Sequence, residues 1–281
     1  MRQGDVTTAI EWSGPVGDVW AAEWRRTDRS FAGLTPHLDA AILAAAPATG
    51  GRAVDLGCGA GQTSIALAAA LPGLAVTGVD ISAELVRLAA GRAVAMPNLR
   101  FTAADLNSDV AVADGADLLC SRHGVMFFAD PRTVLTRLHA VVVPGARLVF
   151  SCFRVVSENA WAGTLVERLT GQSLPALDGY VPGPFGFGDE EMVAAMLKNA
   201  GWAAPPPVPI DFDYVAGEGA DPVGDAAAFF RRIGPVAAAL RAAPDDQRVA
   251  MGDRLLTVLT EHRCGDRVVF PAAAWIWTAQ A

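Results

Sequence analysis

Val54-Asp55-Leu56-Gly57-Cys58-Gly59-Ala60-Gly61 is a short apolar run that ends in a glycine-rich turn and opens into a helical pattern over 63–71. The three glycines let the main chain turn tightly and let a ligand approach it closely, at the carboxyl end of a strand where doubly wound sheets bind nucleotides. A dinucleotide site also asks for a glycine three residues after the second one, to seat the helix beneath a pyrophosphate, and Gln62 stands there instead. Asp55, two residues before Gly57, would repel a pyrophosphate but can pair with an ammonium group. The stretch therefore predicts a strand, a ligand-binding turn, and a cofactor that bears an amino-acid moiety rather than NAD.

Outward from this turn, β-rich runs at 53–56, 75–79, 99–102, 116–120 and 147–153 alternate with helical patterns at 63–71, 83–94 and 131–143. That alternation builds a parallel sheet from right-handed βαβ units, so the fold class is α/β, Rossmann-like and doubly wound. The first four runs lack polar and apolar alternation and read as strands buried on both faces. The second ends in Val79-Asp80, where a carboxylate suits ribose hydroxyls. The third leads into Ala103-Ala104-Asp105-Leu106, which can present a carboxylate to an adenine amino group and a leucine to its ring.

Helical patterns at 17–26 and 35–46 precede this core, and Trp20 and Trp24, one turn apart, are expected to pack on the sheet. Beyond the core come a Gly- and Pro-rich loop at 171–188, a helix at 189–199, a strand at 210–215, helices at 226–242 and 247–262, and a short last strand at 275–278. The expected division is an N-terminal helical cap at 1–47, a cofactor-binding core at 48–156 and 188–216, lid or acceptor-binding insertions at 157–187 and 217–265, and a final core strand at 266–281.

Among 281 residues, 52% are hydrophobic and 19% charged, which excludes disorder, and no apolar run is long enough to span a bilayer. No signal or transit peptide is visible, so a soluble, cytoplasmic protein is expected. Dispersed basic residues and a formal charge of −8 speak against nucleic-acid partners. Cys58, Cys120, Cys152 and Cys264 show neither a zinc spacing nor a secreted disulfide framework, so no metal is expected and the thiols read as buried. Self-association into a homodimer is left open.

Through DLGCGAG at 55–61, GVDIS at 78–82, AADL at 103–106 and PGARLVF at 144–150, the chain resembles the class I S-adenosylmethionine-dependent methyltransferases. Ser121-Arg122-His123-Gly124-Val125-Met126-Phe127-Phe128 and Pro271-Ala272-Ala273-Ala274-Trp275 make it similar to the bacterial branch related to ubiquinone and menaquinone biosynthesis methyltransferases. The resemblance implies a seven-stranded, mostly parallel sheet with helical lid insertions and S-adenosyl-L-methionine as cofactor. It assigns Asp55, Gly57, Gly59 and Gly61 to the methionine moiety, Asp80 and Ile81 to ribose and adenine, and Asp105 and Leu106 to the adenine edge. Cys58, Ala104 and Ser121 are further candidates for cofactor contact. His123 departs from the family pattern, which has an aromatic residue such as phenylalanine there.

Methyl transfer is an in-line displacement from an activated donor, so positioning in a dry pocket can supply most of the rate. An acceptor hydroxyl or acidic carbon needs a base, and His123, just past the fourth strand, is the first candidate, weighed against simple occupancy of an aromatic packing site. Arg122 can orient a carboxylate or phenolate acceptor, or pair with a nearby aspartate. His37, His139 and His262 fall on helical patterns and read as structural. Phe185, Phe187, Phe229 and Phe230 can face an apolar acceptor or fill the lid's own core. The expected substrate is a small, largely apolar or aromatic molecule. A peptide or protein acceptor, or cofactor binding without transfer, are the alternatives.

Overall fold

The computed structural model describes residues 9–281. The first eight residues of the expected cap lie outside the described residues. Four helices come first: α1 (Ala9–Trp12), α2 (Pro15–Ala22), α3 (Trp24–Ser30) and α4 (Thr35–Ala45). The alternating core follows as β1 (Arg52–Leu56), α5 (Gln62–Ala70), β2 (Ala75–Asp80), α6 (Ala83–Arg92), β3 (Leu99–Ala103), β4 (Leu118–Arg122), α7 (Pro131–Val141) and β5 (Arg147–Phe153). The remainder holds α8 (Gly163–Thr170), α9 (Glu190–Asn199), β6 (Val208–Glu218), α10 (Pro222–Phe230), α11 (Gly234–Ala242), α12 (Asp245–Glu261), β7 (Arg263–Cys264) and β8 (Arg267–Gln280). No helix among the described residues is long and apolar enough to cross a membrane.

The strands form one sheet in the order β3-β2-β1-β4-β5-β8-β6, with β7 paired to β8. The first five run parallel and β8 runs antiparallel to both β5 and β6. This is the Rossmann-like α/β architecture that the glycine turn predicts. Chain order reverses between β1 and β4, and a doubly wound sheet opens a crevice at the carboxyl ends of the strands there. The chains meet closely at that point: a side chain on Gly57 would sit 3.0 Å from the Gly124 Cα, and one on Gly124 would sit 2.5 Å from the Leu56 carbonyl oxygen.

Local rules explain the crossovers. Ser82 caps α6 by accepting from the Leu85 amide, and Asp130 caps α7 by accepting from the Thr133 amide, with Pro131 in the first turn. Val54, Leu56, Val79, Leu118, Leu119 and Val149 are fully buried between the helix layers. Trp202 seals α9 against α7, its indole N–H donating to the Leu135 carbonyl at 3.0 Å.

Several expectations are corrected. Among the described residues the sheet has eight strands, because β7 and β8 form a hairpin over the two residues Gly265 and Asp266, with Gly265 at φ +63° as a glycine-first turn requires. The last strand spans 14 residues, its first half hidden in the sequence by Pro271 and three alanines. β3 lies at the sheet edge and is half exposed rather than buried on both faces. The helix expected over 17–26 bends at Glu23, which is buried and holds Arg26 at 2.7 Å and Arg232 at 2.8 Å. The helix expected over 226–242 is two helices, since Gly234 adopts φ +80° and Pro235 can only begin a new helix. Trp24 packs on the small cluster of Ala21, Ala60 and Leu85 rather than on the main core, while Trp20 packs against both.

Candidate functional site

A cavity of about 230 Å³ opens at the carboxyl ends of β1, β2 and β4, and its wall has two unlike halves. The polar half is the turn after β1 together with the ends of β2 and β3. Gly57 and Gly59 adopt φ +67° and +53°, a region L side chains avoid. At Gly59 a side chain would meet nothing within 4 Å, so the main chain there borders open space. Asp80 fastens the turn, one carboxylate oxygen accepting from the Gly59 amide at 2.8 Å and the other from the Ser82 amide at 2.9 Å.

Asp55 is fully buried at the end of β1. Its Oδ2 accepts from the Ser64 hydroxyl at 2.6 Å, while Oδ1 has no hydrogen-bond partner among the described residues. Burial pushes its carboxyl up to about 6, against an ordinary value of 3.8. Burial also raises Asp80, an effect its amide hydrogen bonds partly oppose. Ile81, Ala104, Asp105 and Leu106 complete this half. Asp105 Oδ1 accepts from the amide and side-chain nitrogens of Asn107 at 2.9 and 2.8 Å.

Of the expected cofactor residues, Asp55, Gly57, Cys58, Gly59, Asp80 and Ile81 line the cavity together with Ala104, Asp105 and Leu106. Two stand behind the wall. Gly61, at φ +83°, lets the start of α5 press on Phe101 and Ala89, where any side chain would clash at 2.8 to 2.9 Å. Ser121 is fully buried, and its hydroxyl donates to the Leu56 carbonyl at 2.6 Å and accepts from the Gly124 amide at 3.1 Å, tying β1 to β4. The Cys58 thiol faces the site, but burial, with Asp80 nearby, holds it well above its ordinary value and therefore protonated.

The other half of the wall is aromatic and comes from sequence-distant segments: Phe31 after α3, Phe153 at the end of β5, Trp161 before α8, Tyr214 on β6 and Phe229 on α10. Trp161 and Tyr214 stack at 4.8 Å with planes 7° apart. Asn159 fixes Trp161 by accepting its indole N–H at 3.2 Å, while the Asn159 amide donates to the Ala273 carbonyl. Of the four phenylalanines proposed from the sequence, only Phe229 lines the cavity. Phe185, Phe187 and Phe230 pack in the surrounding core.

Arg122 and His123 both line the cavity at the junction of its halves. Side chains alternate along a strand, so neighbours face opposite ways. His123 escapes this by adopting φ +60°, the only non-glycine residue with positive φ among the described residues. Its ring lies 4.7 Å from Phe31 and 4.3 Å from Phe153, its Nδ1 is 2.9 Å from the Ser151 hydroxyl, and its Nε2 has no partner among the described residues. Burial, and secondarily the Arg122 charge, hold the imidazole well below its ordinary value, so it is neutral at pH 7.

Arg122 pairs with an aspartate, the second of the two readings its sequence position allows. Its Nη2 donates to Asp28 of α3 at 2.7 Å, its guanidinium covers Phe31 at 5.3 Å, and its Nη1 is buried without a partner among the described residues. Asp28 also accepts from Arg92 at 3.0 Å. The remaining histidines lie elsewhere. His139 meets Trp202 edge-on at 5.3 Å, His262 stacks on Phe270 at 4.2 Å, and His37 lies in α4. Sequence reasoning missed Phe31, Trp161, Tyr214, Asp28 and Ser151, since no spacing links them and only the folded chain brings them together.

Residues 53–145 match the family model described as a methyltransferase domain. No curated protein matches the chain. Among solved structures, the YcgJ protein from Bacillus subtilis superposes with a TM-score of 0.53 at 17% identity, covering 86% of this chain and 97% of its own. The [4+2]-cyclase SpnF superposes with a TM-score of 0.57 at 17% identity, covering 98% of this chain and 97% of its own. Phosphoethanolamine N-methyltransferase 2 from Haemonchus contortus, in complex with phosphomonomethylethanolamine and S-adenosylhomocysteine, gives 0.55 at 15% identity, covering 98% of this chain and 59% of its own. The fold is that of the class I methyltransferases. Fold alone does not fix the reaction, as the cyclase among these neighbours illustrates.

Proposed function

We propose that the chain is an S-adenosylmethionine-dependent methyltransferase that transfers a methyl group in line to a small, largely apolar acceptor. The observation that carries the reading is the cavity itself, whose acid-and-glycine half meets an aromatic half at Arg122 and His123. The residues fit the cofactor. The unpartnered Oδ1 of buried Asp55 suits an ammonium group, the open space at Gly59 suits close approach of a ligand, and Asp80 and Asp105 keep acceptor capacity for ribose and adenine. When bound, S-adenosylmethionine supplies an activated methyl group on a cationic sulfur.

The protein's own residues then have three tasks. Asp55, Gly57, Gly59, Asp80, Ile81 and Asp105 hold the cofactor, with Leu106 beside them. Phe31, Phe153, Trp161, Tyr214 and Phe229 exclude water and seat an apolar body, which turns a bimolecular encounter into a positioned one. Arg122 and His123 face the acceptor group. Apolar character on this side also supports kinship with the quinone-methylating branch.

The test is incubation with S-adenosylmethionine and a panel of hydrophobic phenols, quinones, acids and short peptides, read by mass spectrometry. A methylated phenol, quinol or acid is expected. Methylation of peptides alone would move the reading to a peptide methyltransferase.

A further inference from the structure

We infer that His123 and Arg122 form a two-donor recess for an ionised oxygen of the acceptor, so the substrate is a carboxylate or phenolate carried on an apolar body. This rests on the proposed methyltransferase reading and specifies its acceptor. The inventory around His123 carries it. Ser151 is fully buried on β5, and among the described residues its hydroxyl meets only His123 Nδ1. A buried hydroxyl proton has to be donated, whereas an unused lone pair costs less. The Ser151 hydroxyl therefore donates to Nδ1, and the single proton of the neutral imidazole sits on Nε2. Among the described residues that N–H is buried and unpartnered, as is Nη1 of the adjacent Arg122.

Two buried donors with hydrogens to give call for an oxygen with full lone pairs, and a charged one gains most. Positive φ at His123 is what brings neighbouring side chains to one cavity instead of opposite faces of the strand. The charges around the recess come from Asp28 of α3, shared between Arg92 and Arg122, from Asp39 of α4 and from Asp55 of β1. Two guanidiniums thus share Asp28, while Asp55 is assigned to the cofactor's ammonium group. His123 in this role is a donor and takes no proton. The acceptor arrives already ionised, its oxygen forms the new bond to the methyl carbon, and the electrons of the carbon–sulfur bond leave with sulfur.

The test has two readouts. The ¹⁵N shifts of the His123 ring in the full chain show which nitrogen bears hydrogen, and Nε2 is expected. The visible absorbance of 4-nitrophenol, titrated with the protein loaded with S-adenosylhomocysteine, reports its ionisation. Bound, it should ionise about one pH unit lower than in water, a tenfold preference for the anion. Arg122→Gln should abolish the shift. His123→Gln, which can donate but cannot act as a base, should keep most of it. Competition between 1-naphthoate and 4-nitrophenolate identifies which oxygen the recess prefers. A proton on Nδ1, an unshifted or raised ionisation, or binding of naphthalene but neither anion would overturn the inference. Calorimetry with S-adenosylhomocysteine alone separates this from failure of the methyltransferase reading.

Discussion

Asp55 has its acidity altered by burial, and the alteration has a sign. Its carboxyl titrates near 6 in the folded chain against an ordinary 3.8, so between those values the native state holds a proton that the unfolded state has released. Asp55 therefore contributes less to stability as pH rises through that window, and the loss is complete above it. An ammonium-bearing ligand needs the carboxylate, so affinity for S-adenosylhomocysteine should climb between pH 5 and 7 with release of a proton. Calorimetry in buffers of different ionisation enthalpy measures that release. A flat pH response would mean that Asp55 does not meet the ligand's charge. At the acceptor end, His123→Phe should leave S-adenosylhomocysteine affinity intact and slow turnover by roughly 10- to 100-fold, the scale of losing one preorganised donor. Unchanged turnover with the true acceptor would make His123 a packing residue.

These two residues also show what a sequence can and cannot disclose about a site. Asp55 and the glycines of its turn are legible because backbone geometry demands particular residue types at fixed spacing. His123 was legible as an oddity placed after a strand, but its positive φ and its bond to Ser151, 28 residues away, exist only in the folded chain. Gly61 of that turn and Ser121 of β4, both expected to contact the cofactor, instead serve helix packing and the tie between β1 and β4, a distinction that spacing does not carry.

Among the elements, α3 deserves a test of its own, because its Asp28 ties it to two arginines of the cofactor core. Asp28 accepts from Arg92 and Arg122, and Arg92 in turn donates to the Ala60 carbonyl at 2.6 Å beside the glycine turn and covers Trp24 at 3.9 Å. Removing the acid leaves two largely buried guanidiniums without their shared partner, a loss of about 3 kcal/mol. Asp28→Asn should lower the melting temperature and weaken both cofactor and acceptor binding, as measured by thermal unfolding and calorimetry. An unchanged melting temperature would show that α3 is held by its apolar contacts alone. Periodicity located this helical region but not its bend at Glu23, because a bend driven by a buried ion pair leaves no periodic trace. α8, inside the expected lid, went unseen for the opposite reason, since it is short and lies between irregular segments.

At the scale of the whole molecule, the cavity is assembled from parts separated by up to about two hundred residues in sequence. The cap supplies Asp28 and Phe31, the parallel core supplies its turns, and the later segments supply Trp161, Tyr214 and Phe229. The strands of the parallel core were readable from their βα alternation, whereas their order was not, and the antiparallel β6 and β8 were seen only in part, because alanines and prolines mask them. A ligand that binds only this assembled state must stabilise it by mass action, by about 2.7 kcal/mol at a hundredfold excess over Kd. S-adenosylhomocysteine should accordingly raise the melting temperature in a concentration-dependent way, and a constant value would deny that the native cavity is its site.

Isothermal titration of S-adenosylhomocysteine into the wild-type chain and the Asp80→Ala variant, with NAD as the control ligand, tests the central claim most directly. A single site on the wild type is expected, weakened by roughly 1 to 3 kcal/mol when the carboxylate that holds the Gly59 amide is removed, with no heat from NAD. No binding of S-adenosylhomocysteine at millimolar concentration alongside saturable binding of NAD would contradict it.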